Sequence, residues 1–318
     1  MRLLANLAVF VSLTLHGAAE DAAPVARDFS LPSARDNRLL RLSDHPGKVV
    51  LIHWWRSSCS FCRKGDPKLV ALEKELRDKG LVVFGISDDT ADTVAAIPDY
   101  LKNLEITWPV ALNDQGEFIR DVLPKGKGET PGNYLVSRTG ELTWLGLDRT
   151  PEDWQKLVEA VKRALAEPAP AAAAIVPRVP EAAPALSLPT LDGKTLTLKD
   201  FAGKPLVINF FNADSSDWAG AVIATLHKDY SEKGLQVVGI NLFDSDDDAR
   251  KCAEKHGAKY PILRGDEATQ TAWIGEAKGW ATFFVDAEGR IVKKITNSIE
   301  NGLEAVVFRR YAEILLAK

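Results

Sequence analysis

The chain has 318 residues, 46% of them hydrophobic and 26% charged, with a formal net charge of −4. That length exceeds the usual size of one hydrophobic core, so two domains are expected. Lys and Arg form no block or stripe, which removes the electrostatic basis for a nucleic-acid partner, and three cysteines are too few for a disulfide-built extracellular scaffold.

The first element in the chain is MRLLANLAVFVSLTLHGAA, residues 1–19. Arg2, an apolar run from Leu3 to about Leu15, and the small residues Gly17 and Ala19 have the layout of a secretory signal cleaved after Ala19. No cysteine adjoins that point, which argues against a lipid anchor. No later stretch approaches the roughly 18 apolar residues of a membrane helix. The mature protein is expected to be soluble and exported, with a bacterial periplasm or envelope as its location.

Residues 24–166 read as alternating strands and helices. Val49 to Trp55 is an apolar run broken only by His53, as in a central strand buried on both faces. Asp66 to Gly80 places Leu69, Leu72 and Leu76 on one helical face, spaces Glu73 and Arg77 for a surface ion pair, and ends at a glycine. Leu81 to Ile86 is a second buried strand. A helix over 90–104, a short strand near Trp108, a strand from Asn133 to Ser137, a turn at Thr139-Gly140 and a helix from Pro151 complete the set. This order predicts an α/β domain with a mixed sheet.

Two of the three cysteines lie in HWWRSSCSFCRKGDP, His53 to Pro67. Cys59 stands where strand gives way to helix, and the unpaired N–H groups and positive end of a helix stabilise a thiolate. Arg63 and Lys64 act in the same direction. Cys62, one turn on and more buried, is placed to attack a mixed disulfide formed on Cys59, so the spacing supplies a nucleophile and a resolving thiol. Zinc needs about four ligands, and the third cysteine, Cys252, is far away in sequence with no histidine cluster to complete a set. A permanent disulfide would close only a tiny loop. Copper(I) can be held by two thiolates, although the only methionine is Met1.

WWRSSCSFCRKGDP resembles the active-site stretch of the thioredoxin superfamily, and most closely that of the TlpA/ResA-like exported disulfide reductases. Trp55, Cys59, Cys62 and Pro67 fill the family's places, Pro67 being the expected helix kink. GETPGNYLVSRTGEL supplies Pro131, preceded by Thr130, at the place of the family's cis-proline, which faces the cysteines. The resemblance implies a thioredoxin fold and disulfide exchange with protein substrates, with Cys59 and Cys62 reacting and Trp55, Thr130 and Pro131 shaping the groove. It also implies re-reduction by an envelope electron donor, and no cofactor. Three departures stand out. Ser58 replaces the usual aromatic residue before the first cysteine. Ser60-Phe61 between the cysteines contains no proline. His53 occupies the position of the buried carboxylate, where an imidazole either relays the proton of Cys62 or is simply a hydrogen-bonded core group. Asp88 or Asp89 lies near the place of an acidic residue of the ResA-like branch, and either could instead be a solvated loop charge or a helix cap.

Four segments recur in order: LSDHPGKVV with LKDFAGKPL, KGLVVFGI with KGLQVVGI, ITWPVALND with AKYPILRGD, and SRTGEL with DAEGRI. The chain therefore reads as two tandem thioredoxin-like domains, 24–166 and 186–318. They are joined by a Pro/Ala-rich spacer over 167–185 with no core of its own. The second copy is expected to place Ser215 and Trp218 at the cysteine positions and Ala281 at that of Pro131, with Asp214 and Ser215 as helix caps. Its Cys252 reads as a buried structural thiol. The expected activity is thiol:disulfide exchange, in the reductase direction. The second copy would be a docking or dimerisation module. The alternative is a scaffold or Cu(I)-handling protein without turnover.

Overall fold

The computed structural model describes residues 25–113, 132–146, 150–170, 175, 177–213, 217–275, 280–296 and 302–317. Its first half opens with a hairpin of β1 (Ser30–Pro32) and β2 (Leu39–Arg41), then β3 (Val49–Trp55), α1 (Ser60–Leu76), β4 (Leu81–Ser87), α2 (Ile97–Asn103), β5 (Val110–Leu112), β6 (Gly132–Val136), β7 (Leu142–Gly146) and α3 (Pro151–Ala166). The sheet runs β5-β4-β3-β6-β7. β3, β4 and β5 are parallel, and β6 and β7 return antiparallel. Every residue of β3 is buried, because its Val, Leu, Ile and Trp side chains fill cores on both faces of the sheet. One core packs Val49, Leu51 and Trp55 against α1, α2 and α3. The other packs Val50, Ile52 and Trp54 against Phe29, Leu31 and Leu42.

The second half repeats the arrangement: β8 (Glu181–Ala182), β9 (Ser187–Pro189), β10 (Thr195–Thr197), β11 (Leu206–Phe211), α4 (Asp217–Tyr230), β12 (Gln236–Asn241), α5 (Asp246–Lys255), β13 (Ile262–Arg264), α6 (Glu267–Ile274), β14 (Ala281–Val285), β15 (Arg290–Thr296) and α7 (Glu304–Leu316). Its sheet runs β13-β12-β11-β14-β15-β8. Both halves are thioredoxin-like α/β units with a mixed sheet.

Within the spacer, Glu181–Ala182 pairs with β15 at the edge of the second sheet, and Ile175 packs against the first half. Several local expectations change. The helix expected over 90–104 is α-helical only from Ile97, after a short tight turn over Val94–Ala96. The strand near Trp108 begins at Val110. Glu73 is buried while pairing with Arg77 at 2.6 Å, so that ion pair is more than a surface contact. The halves also touch. Leu39 packs into the second core, and Val94 and Val306 contact both cores. Arg310 Nη1 donates to Asn37 Oδ1 at 3.1 Å.

Strand register fixes how the copies correspond. His53 pairs with Gly85 and Asn133, and Asn209 pairs with Gly239 and Thr282 in the same way. Gly132 opposite Trp54 thus matches Ala281 opposite Phe210. The place of Pro131 therefore falls on Trp280, one residue before the Ala281 expected from sequence. In the following helix the buried set Leu69, Val70, Leu72 and Leu76 matches Ile223, Ala224, Leu226 and Tyr230. That register is two residues shorter than the strand register, which moves the place of Cys62 from Trp218 to Ser216. Ser215, Ser216 and the expected cap Asp214 lie outside the described residues, as do Thr130 and Pro131.

Candidate active site

Cys59 is the N-cap of α1, and its Sγ accepts the Cys62 N–H at 3.1 Å. The strand β3 delivers the loop Arg56–Ser58 to that point, and three interactions hold the loop. Ser57 donates its N–H to both oxygens of Asp89, at 3.1 and 3.0 Å, and its hydroxyl to the same carboxyl. Arg63 donates two hydrogen bonds, 3.1 and 2.9 Å, back to the Ser57 carbonyl. Arg56 pairs with Asp88 at 2.5 Å, and Asn113 Nδ2 donates to the same carboxyl at 2.9 Å. Asp88 and Asp89 are therefore buried loop anchors, neither solvated charges nor helix caps. A buried carboxyl needs such partners to be tolerated.

Cys59 is partly exposed, whereas Cys62 is 4% exposed. Both are free thiols. Burial, reinforced by the Cys59 thiol and the Asp66 carboxyl, pushes the Cys62 thiol far above its ordinary range. A thiol so placed needs a base before it can act as a nucleophile.

Such a group lies below it. His53 Nδ1 is 2.9 Å from Asn133 Oδ1, and Nε2 is 3.0 Å from Asp66 Oδ1. Asp66 Oδ2 accepts the Tyr100 hydroxyl at 2.7 Å. Burial and the adjacent Asp66 carboxyl raise the Tyr100 phenol strongly, so it stays a neutral donor. The Trp55 ring stacks on Tyr100, 4.7 Å between centroids at 25°. Cys62, Trp55 and Tyr100 share one core. Asp66 is four residues past Cys62 on the same buried face of α1, so the helix stacks the carboxyl one turn from the thiol.

Trp55, His53, Cys59 and Cys62 thus meet at one end of β3. Sequence reading missed Asp66 and Tyr100. Their signal was an acid and a phenol at helical positions otherwise occupied by buried apolar residues. Among the described residues, no group of three or more His, Cys, Asp or Glu side chains is placed to hold a metal ion, and no helix is long and apolar enough to cross a membrane.

Residues 21–145 and 179–294 match the AhpC/TSA family. Over 109 residues the chain is 26% identical to the thiol-disulfide oxidoreductase ResA of Bacillus thuringiensis subsp. konkukian, a match covering 34% of this chain and 59% of that protein. It is 34% identical over 125 residues to the thiol:disulfide interchange protein DsbE of Pseudomonas fluorescens biotype C, covering 37% and 66%. It is 31% identical over 125 residues to "Putative peroxiredoxin MT2597" of Mycobacterium tuberculosis, covering 35% and 79%. The chain thus spans about three-fifths of the length of the ResA relative. A solved thiol:disulfide interchange protein from Chlorobium tepidum TLS is 22% identical and aligns over 44% of this chain and 99% of its own, with a TM-score of 0.39.

Proposed function

As the chain belongs to the AhpC/TSA family, we propose that it is an exported thiol:disulfide oxidoreductase of the envelope that reduces disulfides in protein substrates. The observation that carries this reading is the pairing of a partly exposed, helix-capping Cys59 with a buried Cys62 whose backbone N–H is 3.1 Å from the Cys59 sulfur. The Cys59 thiolate attacks a substrate disulfide, forming a mixed disulfide and releasing one substrate thiolate. Cys62 then gives its proton to the His53–Asp66 pair and attacks Cys59 Sγ, which releases the second substrate thiol. The substrate gains two electrons, and Cys59–Cys62 is left as a disulfide. A dithiol donor in the same compartment restores the reduced form. Trp55 backs the site through Tyr100, and Thr130 and Pro131 keep the groove-shaping role that the family resemblance implies. The domain bounds 24–166 and 186–318 belong to the same proposal, the second unit carrying no chemistry.

The first test is the equilibrium reduction potential of Cys59–Cys62 in purified protein against a glutathione or dithiothreitol series, with Cys59→Ser as control. A reversible two-electron couple near the reducing, thioredoxin-like end is expected, with turnover of a protein disulfide. A couple far to the oxidising side would turn the direction to oxidase. A pair that exchanges with no thiol would leave a scaffold, and one Cu(I) bound per chain without turnover would make it a copper handler.

The peroxiredoxin relative favours a second reading, peroxide reduction. Against it, Ile52 and Arg56 stand seven and three residues before Cys59, where a Pro-x-x-x-Thr-x-x-Cys peroxidatic pattern has proline and threonine. Peroxide consumption faster than disulfide exchange would reverse the choice.

A further inference from the structure

The open face of the dithiol is positive on a chain that is negative overall. From 56 to 64 the sequence carries Arg56, Arg63 and Lys64 and no acid. Arg63 and Lys64 are exposed, and the Arg56 side chain is 43% exposed. Among the described residues, the carboxyls bonded to this segment or beneath it are buried and engaged: Asp88 with Arg56 and Asn113, Asp89 with Ser57 and Ser87, Asp66 with His53 and Tyr100. Arg63 is not on a free arm. Its two bonds to the Ser57 carbonyl and its position 5.7 Å above the Tyr100 ring hold its charge beside the loop that presents Cys59. A cation already fixed in place loses little conformational entropy when a partner binds. Phe61, between the two cysteines, is 58% exposed, an aromatic contact of the kind that anchors interfaces. The second copy has none of these cations: residues 209–227 contain no Lys or Arg and carry Asp214 and Asp217.

We propose that this face selects disulfides set beside acidic chain segments with an apolar residue close to the bond, a preference that rests on the reading of Cys59 and Cys62 as an exchanging pair. Complementary charge raises the encounter rate and is weakened by salt. The cations also help hold a thiolate, but that help would speed attack on every disulfide alike, so the two effects separate by substrate.

The test uses the reduced full-length protein and three peptides of one length. Each closes the same disulfide loop and carries one leucine beside it, with flanks of Asp, Ser or Lys. The neutral hydroxyethyl disulfide reports exchange itself. At low salt the acidic peptide is expected to react about tenfold faster than the basic one, shrinking to about twofold near 0.5 M salt. With each rate taken relative to the same variant's rate on hydroxyethyl disulfide, Lys64→Gln should bring the acidic peptide down to the rate of the serine peptide without lowering that of the lysine peptide. Phe61→Ser should slow the leucine-bearing peptides relative to versions with serine in place of leucine. Equal rates for all three peptides while hydroxyethyl disulfide is reduced would overturn the proposal. So would variants that slow all three alike, which would make the cations thiolate stabilisers only. No exchange with any disulfide, including the small neutral one, would sink the underlying reading as well.

Discussion

The two halves of this molecule carry the same packing skeleton and different polar interiors. Gly85 lies under Trp55 and Trp108 and beside Val110, with Pro109 O accepting its N–H at 2.8 Å; Gly239 lies under Phe211 and Tyr260 and beside Ile262, with Pro261 O accepting at 3.0 Å. Asp89 holds the Ser57 N–H, and Asp244 holds the Ala213 N–H at 2.7 Å in the same role. The contrast lies beneath the helix. His53 and Asn133 are replaced by Asn209 and Thr282, which still hydrogen-bond, at 2.9 Å. The helical register puts Gly220 at the place of Asp66, and the His256 ring comes within 2.7 Å of where a Cβ would stand there. Tyr100 becomes Cys252: Ile106 N–H donates to Leu101 O and Ala258 N–H to Ala253 O, each at 2.9 Å, which aligns the two helices. What the copies share is what the fold needs. The His53–Asp66–Tyr100 cluster is not repeated in the second copy, and neither is the Cys-X-X-Cys pair. A buried His–carboxyl–phenol cluster is costly to desolvate, so it has no reason to persist without a use.

The largest effect that could break this division is on catalysis. Cys59→Ser should abolish disulfide reduction, a loss of at least about 10³-fold, since the nucleophile is gone. Cys252→Ala should leave the rate within about twofold. Measurable turnover by Cys59→Ser would place chemistry in the second copy after all.

Next in size is the proton acceptor. His53→Asn, which installs the residue of the second copy, and Asp66→Asn should each slow resolution by about 10- to 100-fold. Their signature is a mixed disulfide on Cys59 that accumulates and can be trapped and weighed by mass spectrometry. A slow first attack with no accumulated adduct would show that the pair serves Cys59 or the fold.

Gly85→Ala should cost about 1–3 kcal/mol by denaturant titration, because the added methyl meets the Trp108 indole nitrogen and Val110 at 3.1 Å and the Trp55 indole nitrogen at 3.2 Å. Gly239→Ala should cost less despite a closer contact of 2.6 Å, as the obstructing atom is the Cδ1 end of Ile262, which can rotate away. Reversed costs would mean that the first core is the softer one.

The smallest expected effect is on pH dependence. The folded state holds the Cys62 thiol protonated well above its ordinary range. Once pH passes about 8.5 the unfolded chain binds fewer protons than the native one, so reduced protein loses stability with a slope of up to about 1.4 kcal/mol per pH unit. Cys62→Ala should flatten that slope in alkaline melts. An unchanged slope would show that Cys62 ionises freely in the fold.

Much of this was legible along the chain. The duplicated segments announced two domains, the apolar run over 49–55 announced a doubly buried strand, and the two-residue cysteine spacing at a helix start announced one partly exposed and one buried thiol a turn apart. Each is a local signal, since periodicity, capping and spacing act over one or two turns of chain. Tertiary structure alone decided which polar groups meet. His53, Asp66, Tyr100 and Asn133 are separated by 13 to 80 residues and become neighbours only when α1 and α2 pack on one face of the sheet and β6 pairs with β3. The same packing turned Asp88 and Asp89 from loop charges into buried anchors. It also moved the match of Pro131 to Trp280, because strand register is set by inter-strand hydrogen bonds that the sequence does not display. By itself the sequence determined the number of domains, the kind of fold and the pair of thiols. Folding decided the environment that gives one thiol to solvent and the other to a buried acid and histidine, because burial and partnership are properties of distant residues brought into contact.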